Sequence, residues 1–123
     1  MLLVDTSVWI DHFRLGVPLL GDLLCAGEVS THPFVIGELA CGKLKNRDEI
    51  LALLSALPTV KMATHAEALH LVDARALSGQ GIGWMDVHLL ASALLHRMPL
   101  WTRDRRLQAA AKALGLSGKE AGG

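Results

Sequence analysis

Four carboxylates in this chain stand in surroundings that do not suit a charge. Asp5 directly follows the apolar run Leu2-Leu3-Val4, and Glu38 is the only charge between Pro33 and Gly42. Asp86 sits between Trp84-Met85 and Val87 at the head of a nearly all-apolar segment, and Asp104 follows Leu100-Trp101 after two intervening residues. By contrast Asp48, Glu49, Glu67, Asp73 and Glu120 have polar neighbours. Burying an unpaired carboxylate is costly, so such positions call for hydrogen bonds, a cation or a proton. A purely structural account is two helix caps (Asp5 and Asp86), one buried ion pair and one surface acid. If instead the four cluster, they repel one another and hold protons until a cation arrives. Oxygen donors without Cys or His select Mg²⁺ or Mn²⁺ over zinc. Such sites serve phosphoryl chemistry, the ion lowering the pKa of a water and neutralising charge at phosphate and leaving oxygen.

Which elements must position these acids follows from the apolar pattern. Leu2 to Val4 reads as a short strand buried on both faces, as in the middle of a parallel sheet. That places Asp5 at the carboxyl end of a strand, where open α/β sheets form their ligand crevices. A helix from Ser7 to Arg14 follows, then a turn at Gly16-Val17-Pro18 and a helix from Leu19 to Ala26. Further strands are predicted at 28–32, 58–62 and 99–102. Helices are predicted at 33–42, from the Asn46 cap to Leu57, from Thr64 or His65 to Ser78, at 85–97 and at 104–114. Gly79, Gly81 and Gly83 mark a loop before Asp86. Alternating strands and helices imply a parallel sheet covered on both faces. On that topology Asp5, Asp104 and Asp86 meet at one sheet edge, and Glu38 joins them from a helix alongside.

The totals bound the rest. A chain of 123 residues predicts one domain, here 1–116, with a Gly-rich tail at 117–123. Apolar residues make up 51% and mean hydropathy is +0.37, which points to surface covered by a partner or a second copy. Twelve basic residues balance twelve acidic ones, so net charge does not advertise nucleic acid and only local clusters can. Cys25 and Cys41 form no motif, which predicts small core residues in a reduced, cytoplasmic chain. No apolar run approaches the roughly 20 residues of a membrane span. The six histidines lack zinc spacing.

In order and spacing, several short pieces resemble the PIN domains, most closely the VapC-type toxins of bacterial toxin–antitoxin pairs. They are Val4-Asp5-Thr6-Ser7-Val8-Trp9-Ile10-Asp11, Gly37-Glu38-Leu39 with Gly42, the run from Gly83 to Ala93 around Asp86, and Leu100-Trp101-Thr102-Arg103-Asp104. The resemblance implies a three-layer α/β/α sandwich with a central, mostly parallel sheet and an acidic pocket for Mg²⁺ or Mn²⁺. Asp5, Glu38, Asp86 and Asp104 match the catalytic, metal-holding acids, and Thr6 and Thr102 match supporting hydroxyls. The implied activity is endoribonuclease cleavage of single-stranded RNA, a metal-activated water attacking phosphorus in line. A VapB-like antitoxin that blocks the site, a homodimer and no membrane attachment are implied with it. The family's final short strand is barely represented by Leu114-Gly115-Leu116.

Around this pocket Arg103 and Arg105 are the candidates to guide a phosphate backbone, ahead of Lys43, Lys45 and Arg47. Trp84 is the candidate base-stacking aromatic, while Trp9 and Trp101 read as core. Trp9, Phe13, Leu19 and Leu23 could line a groove for a partner helix or be ordinary core. The alternative function is a catalytically silent PIN-like scaffold that binds RNA or protein. A receiver-like Mg²⁺ phosphotransfer enzyme is a further class, but neither its early acid pair nor its lysine near the last strand is clear.

Overall fold

The structure, a computed structural model, describes residues 1–118. Its sheet is built from strands β1 (Leu2–Val4), β2 (Val29–Ser30) and β3 (Leu100–Trp101), in the order β2-β1-β3 and all parallel. Leu2, Leu3 and Val4 are all buried, as expected of a central strand covered on both faces. Single parallel bridges extend the sheet on both sides, Thr31 with Thr59 and Leu100 with Ser117. The predicted strand at 58–62 is therefore reduced to one bridge at Thr59. The edge after the last helix is likewise one bridge, made at Ser117 and supported by the Leu100 N–H donating to the Leu116 carbonyl at 2.8 Å. Gly118 lies so close to β3 that a Cβ there would sit 2.5 Å from the Leu100 carbonyl oxygen. Residues 119–123, the remainder of the predicted tail, lie outside the described residues.

Seven helices surround the sheet among the described residues: α1 (Thr6–Leu15), α2 (Pro18–Cys25), α3 (Pro33–Cys41), α4 (Arg47–Ala56), α5 (His65–Ala74), α6 (Trp84–Leu95) and α7 (Arg105–Ala113). Proline opens α2 and α3, where its missing N–H costs nothing. Packing joins α1 to α3 and α3 to α4, and separately α5 to α6. Right-handed crossovers running to either side of β1 put these two groups on opposite faces, which yields the α/β/α layering. The core between them includes Val8, Trp9, Leu20, Val35, Leu89, Leu90, Trp101 and Leu107.

Helix ends differ most from expectation. The predicted helix through Ser78 stops at Ala74, because Ala76 takes a left-handed backbone (φ 52°) and Leu77 folds back to bond the Val72 carbonyl. Similarly α6 stops at Leu95, with Arg97 left-handed (φ 49°) and Met98 bonding back to Ala93. Both are glycine-type helix stops without a glycine. Asn46 does precede α4, but in a left-handed conformation and with no side-chain capping bond. Cys25 and Cys41 are exposed at the last positions of α2 and α3, not in the core. Their helices turn the apolar face elsewhere: Leu20 and Leu23 in α2, Val35 and Leu39 in α3.

Thr64 caps α5 in a reciprocal box, its hydroxyl accepting from the Glu67 N–H at 3.1 Å while the Glu67 carboxylate accepts from the Thr64 N–H at 2.8 Å. Replacing Thr64 by Ala is expected to cost about 1 kcal/mol, read as a lower urea midpoint at unchanged slope.

Candidate active site

Parallel topology sets the site. Because β1 and β3 run side by side, α1 and α7, which follow them, begin at the same sheet edge, and α6, which precedes β3, starts there as well. Asp5 and Asp104 are the residues immediately before α1 and α7, and Asp86 lies in the first turn of α6. Three helix N-termini thus aim their partial positive charge at the region where the acids gather.

Asp5 is the pivot and is almost wholly buried, at 6% exposure. Its Oδ2 accepts from the Ser7 hydroxyl at 2.7 Å, the Thr102 hydroxyl at 2.8 Å and the Ser7 N–H at 3.3 Å. The same two hydroxyls accept in turn, Ser7 Oγ from the Arg103 N–H at 3.0 Å and Thr102 Oγ1 from the Asp104 N–H at 3.1 Å. Both hydroxyl protons point at Asp5, so the 3.3 Å approach of Ser7 Oγ to Thr102 Oγ1 is a contact and not a further bond. The chain clamps the loop after β3 onto the start of α1. None of these bonds uses Asp5 Oδ1.

The other acids are held differently. Asp104 caps α7 through Oδ1, which accepts from the Arg106 and Leu107 N–H groups at 3.0 Å each, and it is exposed to solvent. Glu38 is half-buried on α3 and accepts from the Thr6 hydroxyl at 3.1 Å. Asp86 is not a cap, since Gly83 holds that position. Burial first, then the charges of Asp5, Asp104 and Glu38, together push the Asp86 carboxyl up to about 6. One carboxyl therefore feels the other three. Asp5 acts as a cap, as the structural account requires, but the second cap is Asp104 and not Asp86, Glu38 makes no ion pair among the described residues, and Asp86 senses the charge of the other three acids.

The donor set fits a hard divalent ion, being carboxylate and hydroxyl oxygen only. Among the described residues no three His, Cys, Asp or Glu side chains converge tightly enough to grip an ion as they stand. Thr102→Val keeps the shape but removes the donor to Asp5 and the acceptor for Asp104. Mn²⁺ affinity is expected to fall about 10- to 100-fold, the usual effect of losing a group that orients a ligand. Titration calorimetry reads this.

Sequence reasoning placed Thr6 and Thr102 beside the acids and missed Ser7, whose contacts reach to the far end of the chain. The tandem hydroxyls at 6 and 7 were the available signal. Arg103 does not project freely: its guanidinium meets Asp11 at 2.9 Å. Arg105 is exposed at the first position of α7. Arg106 lies over the glycine loop, and a Cβ on Gly81 (φ +74°) would meet its Nη1 at 2.6 Å. Trp9 and Trp101 are in the core at 2% and 1% exposure, whereas Trp84 is 40% exposed. His32 is a fully buried polar group. Its Nδ1 accepts from the Phe34 N–H at 2.9 Å, and its Nε2 meets Ser92 Oγ at 3.2 Å, which also accepts from the Ala63 N–H. Burial, with His88 nearby, lowers His32 to about 4 and keeps it neutral.

A parallel sheet flanked by helices, with acids at the carboxyl edge of its central strands, makes this an α/β domain with an acidic edge. A model of the PIN domain family matches residues 2–113, and the chain belongs to that family. It is 48% identical over 118 residues to Ribonuclease VapC32 of Mycobacterium tuberculosis, in strains H37Rv and CDC 1551, covering 95% of both chains. A solved chain from a toxin-antitoxin complex of Klebsiella pneumoniae shares the fold, with a TM-score of 0.64 at 23% identity, covering 85% of this chain and 87% of that one.

Proposed function

We propose that this protein is the toxin of a VapBC-type toxin–antitoxin pair and a ribonuclease that cuts phosphodiester bonds with a divalent ion, Mg²⁺ or Mn²⁺, held by Asp5, Glu38, Asp86 and Asp104. The reading rests on kinship with Ribonuclease VapC32 across nearly the full length of both chains. The observation that carries the site is Asp5, buried at the end of the central strand with its Oδ2 bonded by Ser7 and Thr102. When bound, the ion would lower the pKa of an attacking water and neutralise charge building on the phosphate. The chain's own residues orient the donors. Ser7 and Thr102 fix the Asp5 rotamer, Thr6 steadies Glu38, and the N-termini of α1, α6 and α7 offset part of the carboxylate repulsion.

A VapB-like antitoxin is the proposed partner. An open groove between α1 and the α3–α4 region, lined by Ile10, Phe13, Leu44 and Ile50, leads to Glu38. An amphipathic segment seated there would reach the acids with a basic side chain. Of the groove residues proposed from sequence, Phe13 lines it, while Trp9 and Leu23 are buried and Leu19 is exposed on α2. A homodimer and a cytoplasmic location belong to the same reading; among the described residues no helix is long and apolar enough to cross a membrane.

The test is cleavage of a panel of structured and unstructured RNAs by the purified chain with Mg²⁺, with Mn²⁺ and with chelator. Cutting should require the ion and stop on adding the antitoxin. Cutting that persists in chelator refutes the site, and a chain that neither cuts nor binds metal is the silent scaffold instead.

A further inference from the structure

Two prominences flank the acids without being used by them: the glycine loop before α6 and a connected series of rings. His32, Phe34, His88, Trp84 and His65 follow one another with centroid separations of 5.1, 5.0, 4.7 and 5.1 Å. They come from three helices, the start of α3, the first two turns of α6 and the start of α5. With only five Trp and Phe residues in the chain, placing two of them in this one series is a concentration of aromatic surface. Two of the rings are buried, His32 fully and His88 at 5% exposure. Trp84 is partly open to solvent, at 40% exposure.

Two features set this series apart from ordinary core packing. The His88 ring stands at 89° to the Trp84 indole, and His65 at 60°, so two neighbouring rings hold the indole in one orientation while part of its surface stays exposed. The His88 Nδ1 is buried without a hydrogen-bond partner among the described residues. Packing against Phe34 and Trp84, and no bond through Nδ1, places that imidazole. Two of its members also lie within a helical turn of an acid. Phe34 precedes Glu38 by four residues on one face of α3, and Trp84 shares the first turn of α6 with Asp86 while facing a different side of that helix.

We propose that Trp84, backed by His88 and His65, is a stacking platform for a nucleobase of the single-stranded RNA beside the phosphate held at the four acids. The proposal rests on the ribonuclease reading of that acid site. A rigid, partly exposed indole accepts any base face, which gives affinity and positions the strand without reading a full sequence. The protein is close to charge-neutral and its acids repel phosphate, so binding through a base supplies what backbone attraction does not.

Because Trp9 and Trp101 are buried, solvent-accessible indole emission comes from Trp84. The experiment uses the Asp5→Asn protein in Mg²⁺, so that the strand stays intact. The probes are short homopolymers of A, C and U and an abasic sugar-phosphate strand of the same length. Base-bearing strands should quench the emission and bind about tenfold more weakly to the Trp84→Ala variant, the scale of one base stacked on one ring. Trp84→Phe should keep most of that binding while losing the quenching. Equal binding of the abasic strand, or quenching that survives Trp84→Phe, overturns the proposal. So does emission that changes on dilution of the protein alone, which assigns Trp84 to a contact between copies. Failure of the acid-site reading registers separately, as shortening of the strand by Asp5→Asn.

Discussion

Asp5→Asn is expected to cut RNA at least about a thousandfold more slowly than the unaltered chain, a loss of about 4 kcal/mol in transition-state stabilisation. The substitution is nearly isosteric. The amide oxygen can turn towards Ser7 and Thr102 and accept the same two hydroxyl protons, so the clamp between the loop after β3 and the start of α1 survives. What disappears is the charge, and with it the deepest of the carboxylates that would hold the ion. Folding and chemistry separate in this variant, which is the reason to prefer Asn over Ala. Circular dichroism and melting temperature in chelator should match the parent, while Mn²⁺ binding by calorimetry weakens and cleavage fails. Cutting at the parental rate would show that Asp5 is only a helix cap. A collapse of the fold would show that its charge is structural.

Much of this site was legible because its logic is local. An acid after a short apolar run marks the carboxyl end of a buried strand whatever the rest of the chain does, and Asp5 and Asp104 both stand there. What was not legible depends on contacts between distant segments. Ser7 reads as a helix-start residue until the loop after β3 is seen to lay the Arg103 N–H on its hydroxyl. The Arg103 guanidinium meets Asp11 of α1 across 92 residues of chain, a pairing that local sequence does not announce. The expected strand at 58–62 has suitable residues, yet its neighbour β2 is only two residues long, and the single bridge is made by Thr31, the residue after it. Helix lengths were overestimated where Ala76 and Arg97 adopt the left-handed conformation usually left to glycine. There the return of Leu77 and Met98 to bond the last turn offsets the strain.

Asp86→Asn is expected to make the metal-free protein more stable while removing its activity as thoroughly as Asp5→Asn does. Asp86 in the folded chain is raised from 3.8 to about 6, by burial first and then by Asp5, with Asp104 and Glu38 adding to it. A carboxyl whose folded value is raised holds its proton more tightly folded than unfolded, so it favours folding below about pH 4. That advantage is lost as pH rises through about 6, and above it the ionised group weighs against the fold. The full conversion is about 3 kcal/mol, which solvent screening of a half-buried group cuts to ~1–2 kcal/mol. Asn at 86 should therefore raise the melting temperature at pH 7 in chelator, with the gain vanishing by about pH 4. His32 titrates in the opposite sense, since its lowered value makes acid destabilising, but it is common to both proteins and cancels in the comparison. Adding Mn²⁺ should reverse the order. The parent gains stability from ion binding and the variant gains less, because the ion finds one carboxylate fewer. A variant no more stable than the parent in chelator would mean that the four acids do not press on one another in solution. The same carboxylate crowding that costs the empty site stability is what would make it bind a divalent ion.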